Sequence, residues 1–176
     1  MAYHSLKDFV HRLKQENELV EITTPVSPYL EMTEITDRVT KANGPALLFT
    51  RPVGYQIPVL INAYGSERRM ALALGVDHVD EIAARIRTLI TQKPPGTWRE
   101  KIAALFTLKE LAGYAPKRVS SGRCKEVILK GEDATLDSLP IMTCWPMDGG
   151  PFITLPQVYT RDPVTGIRNV GLYRMQ

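Results

Sequence analysis

At 176 residues the chain is long enough for one domain with its own core, or for one domain and part of another. Its 44% hydrophobic and 23% charged residues are the proportions of a soluble globular protein, with no repeat and no low-complexity tract. A net charge of only +3, with bases and acids interleaved over residues 81–87 and 99–109, excludes the basic footprint of a nucleic-acid binder.

Two further exclusions concern membranes. No apolar run approaches the roughly 20 residues that a bilayer requires, so no transmembrane segment is expected. The first residues, MAYHSLKDFVHRLK, carry charge where a signal peptide is apolar, so a cytoplasmic location is expected.

Ser5 followed by Asp8 is a capping signal, and Leu6, Phe9, Val10 and Leu13 then recur at helical spacing. This predicts an amphipathic helix over residues 6–17. Leu19, Val20 and Ile22 read as a short strand closed by Pro25. Residues 31–42 predict a second helix with Ile35 and Val39 on one face, stopped at Asn43-Gly44.

Residues 46–49 and 59–62 are apolar strands without polar alternation, which implies cover on both faces, and Arg51-Pro52-Val53-Gly54 between them is turn material. Residues 80–92 predict a helix with Ile82, Ile86, Leu89 and Ile90 facing inward, ended by Pro94-Pro95-Gly96. Thr97 with Glu100 makes a capping box for another helix, running to about Ala112 and stopped near Gly113. Alternating helices and covered strands define an α/β amino-terminal domain over residues 1–116.

From 117 to 176 the character is β-rich. Val127, Ile128 and Leu129 predict a strand, and residues 131–140 a polar connector. Residues 153–160 and 167–175 then form the arms of a hairpin. Asp162, Pro163 and Gly166 give the turn its mechanism: Asp bonds its own downstream backbone, Pro presets φ, and Gly accepts a left-handed conformation. A lone hairpin with an open edge invites a partner strand, so this second domain is expected to be incomplete.

Little chemistry announces itself from residue type alone. Cys124 and Cys144 are the only cysteines; they fit no zinc spacing and read as reduced, partly buried thiols. His4, His11 and His78 read as solvated or capping residues, Glu31 with Glu34 as helix-start carboxylates, and Trp98 and Trp145 as core or interface. Neither Asn43-Gly44-Pro45 nor Asp148-Gly149-Gly150-Pro151 has the strand-to-helix context of a dinucleotide loop. Asn169 by itself reads as a strand asparagine, and Arg174 as a salt-bridged strand arginine. Gly171 reads as a bulge, with Leu172 and Tyr173 as core.

An ordered series of motifs changes those readings. Gly44-Pro45-Ala46-Leu47-Leu48-Phe49 comes first, then Asn62-Ala63-Tyr64-Gly65-Ser66 followed by Arg69, and then Pro140 through Pro146. Pro151-Phe152-Ile153-Thr154, the Asp162 to Gly166 turn and Asn169-Val170-Gly171-Leu172-Tyr173-Arg174 close the series. Together they resemble the UbiD family of decarboxylases over nearly the whole chain. Members of that family are far longer, so the resemblance implies an amino-terminal portion, its second domain opening a split β-barrel like that of flavin reductases.

The resemblance also implies roles. Asn169 would give its amide oxygen to a manganese ion, with or without a monovalent cation, that bridges to the phosphate of prenylated FMN; an amide oxygen suits so hard a cation. Arg174 would be catalytic, its planar fork holding the substrate carboxylate, as first member of an Arg-Glu-Glu constellation whose glutamates lie beyond Gln176. Gly171, Leu172, Tyr173 and Arg174, with Thr154 in the facing arm, would meet the cofactor. Strict alternation puts Asn169 and Arg174 on opposite faces, and a bulge near Gly171 would reunite them.

The implied function is non-oxidative decarboxylation of an aromatic or α,β-unsaturated acid, the wording of the hairpin pointing to quinone biosynthesis. A flavin prenyltransferase would supply the cofactor, and the full-length protein would be a homo-oligomer. Two other readings stay open: a non-catalytic scaffold or half of a split enzyme, and an oxidoreductase with ordinary FMN.

Overall fold

The computed structural model describes residues 3–91, 96–98, 108, 112–113, 115 and 118–176. The chain divides into two compact units, one of Met1–Val79 with Leu136–Gln176 and the other of Asp80–Thr135. Compactness thus cuts the chain elsewhere than sequence character, which changes near 116.

The first unit opens with helix α1, Leu6–Gln15. The Ser5 hydroxyl accepts from the Asp8 N–H at 3.3 Å, and the Asp8 carboxylate accepts from the Ser5 N–H at 3.0 Å, the reciprocal box foreseen from sequence. Phe9 and Leu13 are buried against Ala46, with Tyr3, Leu19, Leu60 and Leu72 around them. Strand β1, Leu19–Ile22, runs parallel to β2, Ala46–Phe49, which pairs antiparallel with β3, Val59–Ile61. β2 is therefore the middle strand, and its Ala46, Leu47 and Phe49 are buried. β3, at the edge, is only half-buried, so the expectation of two covered faces holds for one of the two strands.

Helix α2, Glu31–Lys41, joins the parallel strands and buries Met32, with Ile35 and Val39 packed on Val26, Leu47 and Phe49. Its stop was legible, but the residue roles differ from those expected. Asn43 takes the left-handed conformation at φ 54, whereas Gly44 is small because a Cβ would stand 2.6 Å from Val39 Cγ1 and 2.9 Å from the Val39 carbonyl.

Helix α3, Glu67–Leu74, was not anticipated, although Ser66 caps it and Gly75, at φ 69, ends it. From α3, Arg69 reaches back to the start of β1; it is 2% exposed and its Nη1 donates to Glu18 Oε2 at 2.9 Å. Beside it Asn62 donates to the carbonyls of Gly44 and Pro45, at 3.2 and 2.9 Å. Two sequence motifs far apart in the chain are thus one hydrogen-bonded joint.

Residues 136–176 belong to the same unit. Thr143 donates to the Pro28 carbonyl at 3.2 Å and accepts from the Leu30 N–H at 3.0 Å, which fastens the 140s to the entry of α2. Leu30 sits at φ 66 and ψ −38, a conformation that a side chain adopts at a cost, inside a turn closed by the Glu31 N–H donating to the Tyr29 carbonyl at 2.8 Å. Met142 and Phe152 form one antiparallel bridge and Ile153 and Met175 another. Beyond them strands β4, Gln157–Arg161, and β5, Arg168–Leu172, make the hairpin ladder.

The turn works as its residues dictate. Asp162 Oδ1 accepts from the Val164 and Thr165 N–H groups at 2.8 and 2.6 Å, and Gly166 is left-handed at φ 71.

The second unit contains helix α4, Asp80–Thr91, and 3-10 turns at Arg123–Lys125 and Gly131–Asp133. Several expectations fail here. Ile86, Leu89 and Ile90 are exposed and only Ile82 is half-buried, so the apolar stripe of α4 is present but uncovered. Val127, Ile128 and Leu129 form no strand and are exposed, because a run of apolar residues becomes a strand only beside a ladder partner. Residues 131–140, read as a plain connector, contain two 3-10 turns, the second at Leu136–Ser138 in the first unit. Cys124, Trp98 and Trp145 are exposed, while Cys144 is half-buried as expected. Most of the helix predicted from Thr97 to Ala112 lies outside the described residues.

Candidate functional site

The β5 register is unbroken from Arg168 opposite Arg161 to Leu172 opposite Gln157, so the ladder carries no bulge at Gly171. The irregularity sits in the facing arm instead. Between the Ile153–Met175 bridge and the Gln157–Leu172 pair, three residues on one side, Thr154 to Pro156, oppose two on the other, Tyr173 and Arg174. Pro156 has no N–H to give to a ladder, which suits it to this place.

Gly171 has a different reason for being glycine. A Cβ there would overlap the Tyr173 ring, standing 2.8 Å from its Cζ, so the side chain two residues on has folded across the bare backbone. Space that the sequence reading assigned to a ligand is occupied by Tyr173. The Tyr173 hydroxyl in turn accepts from Asn169 Nδ2 at 3.3 Å. Asn169, Gly171 and Tyr173 thus form one cluster. Donation through Nδ2 leaves the amide oxygen as the end chemically suited to a cation.

Asn169 is exposed, as are Leu172 and Tyr173, at 66% and 53%, so the partly buried strand and the core alternative foreseen for them are not what the structure presents. By alternation along β5, Leu172 lies on the opposite face from Asn169. It lines a groove of about 1160 Å³ together with Thr154, Leu155, Val10, Leu60 and Tyr64. Arg174, exposed, stacks its guanidinium carbon 4.1 Å from the centroid of the Phe152 ring.

The six residues singled out from the sequence therefore fall into three places. Thr154 and Leu172 are at the groove, Asn169, Gly171 and Tyr173 are on the other face of the strand, and Arg174 is on Phe152. The Phe152 contact was missed, although Phe152 lies inside a motif already singled out.

These residues fit a carboxylate better than they fit a metal. An exposed guanidinium offers a planar N–H fork that suits a planar anion. Among the described residues no group of three or more His, Cys, Asp or Glu is arranged to hold a metal ion. One neutral oxygen from Asn169 does not by itself compose a manganese site, nor do the separated faces compose a closed flavin pocket. Among the described residues no helix is long and apolar enough to cross a membrane.

Comparison with known proteins finds two family models on the chain. Residues 10–86 match the 3-octaprenyl-4-hydroxybenzoate carboxy-lyase N-terminal domain, and residues 117–176 match the Rift-related domain of the same carboxy-lyase. The chain has α/β content, and it belongs to the UbiD family, matching the models of that family's N-terminal and Rift-related domains.

An uncharacterized protein of Aquifex aeolicus is 49% identical over 99% of this chain, and one of Archaeoglobus fulgidus is 46% identical over all of it. The chain spans about 36% of the length of each. Among solved structures, an evolved dimeric form of the UbiD-class enzyme HmfF from Pelotomaculum thermopropionicum, in complex with prFMN, superposes with a TM-score of 0.71 at 26% identity. That match covers 99% of this chain and 36% of the other. Vanillic acid decarboxylase of Sedimentibacter hydroxybenzoicus, in its closed form, gives 0.74 at 26% identity over 99% and 35%.

Proposed function

We propose that the full-length protein removes CO2 from an aromatic or α,β-unsaturated carboxylic acid with prenylated FMN as cofactor, in quinone biosynthesis. The observation that supports this best is the superposition, over nearly the whole chain, on a UbiD-class enzyme in complex with prFMN. It is joined by the family match on both sides of the chain. In this reading residues 1–116 are the α/β amino-terminal domain and 117–176 begin a split β-barrel that the rest of the full-length protein completes.

Bound prenylated FMN supplies an electron sink for the carbanion left by CO2. The chain's own contribution is placement. Arg174 holds the substrate carboxylate by two parallel N–H bonds. Asn169 offers an amide oxygen as one ligand of a manganese ion whose other ligands come from the remainder of the protein. Thr154 and Leu172 at the groove, with Gly171 and Tyr173 on the other face of the strand, are the residues that would meet the cofactor. Proton return falls to a carboxylic acid outside these residues.

A second reading is an oxidoreductase with ordinary FMN; the UbiD-class enzyme HmfF also superposes in complex with FMN, at TM-score 0.71 and 27% identity, so FMN binding alone does not separate the two. Co-expression of the full-length protein with a flavin prenyltransferase separates the two. Mass spectrometry of the released cofactor should give prenylated FMN, and assay of aromatic acids should give CO2. Unmodified FMN with no CO2 from any acid would favour the oxidoreductase. A cytoplasmic homo-oligomer remains the assembly proposed for the full-length enzyme.

A further inference from the structure

Resting on the reading of Arg174 as carboxylate clamp, we propose that Phe152 is a positioning residue that holds the Arg174 guanidinium flat so that its fork meets the substrate carboxylate edge-on. The guanidinium carbon lies 4.1 Å from the Phe152 ring centroid, well inside the distance at which a cation and an aromatic face attract. Stacking uses the face of the guanidinium and leaves its in-plane N–H groups free, so the same arginine can stack and chelate at once.

The backbone that carries the ring is fixed from two directions. The Phe152 N–H donates to the Met142 carbonyl at 2.8 Å, and Met142 packs on the buried cluster of Val26, Met32, Leu47 and Phe49. On the other side, Ile153 and Met175 exchange both backbone hydrogen bonds, at 2.9 and 3.2 Å, which sets Phe152 and Arg174 as neighbours across the arms. A continuous line of contacts therefore runs from the core through Met142 and Phe152 to an arginine that is otherwise exposed. An unstacked arginine on an exposed strand end samples many rotamers, and each of them costs the clamp its geometry.

The test uses the cofactor-loaded full-length protein with three substitutions, Phe152→Leu, Phe152→Tyr and Arg174→Lys. Dissociation constants are measured for a non-reacting aromatic carboxylate and for its uncharged amide analogue, alongside flavin content and thermal midpoint. Phe152→Leu is expected to weaken carboxylate binding about 3- to 30-fold while leaving amide binding, flavin content and midpoint unchanged. Phe152→Tyr, which keeps the ring, should restore wild-type affinity. On an Arg174→Lys background, Phe152→Leu should have little further effect, and this cycle decides the matter even if the single leucine variant folds poorly.

Unchanged carboxylate affinity in Phe152→Leu, or equal loss of carboxylate and amide, would overturn the positioning role. Unchanged carboxylate affinity in Arg174→Lys would instead overturn the clamp reading beneath it.

Discussion

Gly65 is small because of its neighbours, not because of its backbone. A Cβ there would overlap the Asn62 amide oxygen and stand 3.0 Å from Arg69 Nη2. Asn62 is pinned by the Gly44 and Pro45 carbonyls, and Arg69 by Glu18, so neither can swing aside without breaking a bond. Gly65→Ala is therefore expected to destabilise the protein by about 1 to 3 kcal/mol, read as a lower denaturant midpoint with unchanged slope. A midpoint equal to wild type would mean that the joint relaxes freely. At this scale the sequence showed which residues mattered without showing why. Asn62, Gly65 and Arg69 stood out as a motif, but their partners at Gly44, Pro45 and Glu18 are distant in the chain. Gly171 carries the same lesson, since a ring two residues away explains it better than a bulge does.

Elements whose signals are local were legible, and elements that need distant partners were not. The capping box of α1 and the turn after β4 are built from residues within a few positions of one another, so the sequence contained the whole device. Val127 to Leu129 had the composition of a strand but no neighbour to pair with, and α4 had an apolar stripe but no cover. α3 has a serine cap and a closing glycine, but its eight residues are too few for a helical period to stand out in the sequence.

The turn also yields a pH expectation. Hydrogen bonds from the Thr165 backbone and side chain, with a third from the Val164 backbone, hold the Asp162 carboxyl below its ordinary pKa. A depressed folded-state value means that the turn's stabilisation is complete above the ordinary Asp value and is lost as pH falls through the lower, folded one. The Thr165 amide resonance should accordingly titrate below the range of a free aspartate. Titration at or above that range would contradict the assigned bonds.

For the whole molecule, many apolar side chains lie open to solvent, among them Met147 at 95%, Val127 at 77% and Leu172 at 66%. Exposed apolar area on this scale marks surfaces made to be covered, and the relatives are longer than this chain by the factor already given. The 176-residue chain expressed alone is expected to bind a hydrophobic dye, while the full-length protein does not. It is also expected to release no CO2 from aromatic acids when given prenylated FMN and manganese. Decarboxylation by the short chain would show the remainder of the protein to be dispensable for chemistry.

The reading of this protein as a decarboxylase whose arginine orients the leaving carboxylate depends most on Arg174. Lysine at that position keeps the charge and loses the paired fork. In the cofactor-loaded full-length protein, Arg174→Lys should lower kcat/KM for CO2 release by about 10² to 10³, with flavin content and the melting midpoint unchanged. A variant with full cofactor and near-normal kcat/KM would show that the carboxylate is held elsewhere and that Arg174 is an ordinary strand residue.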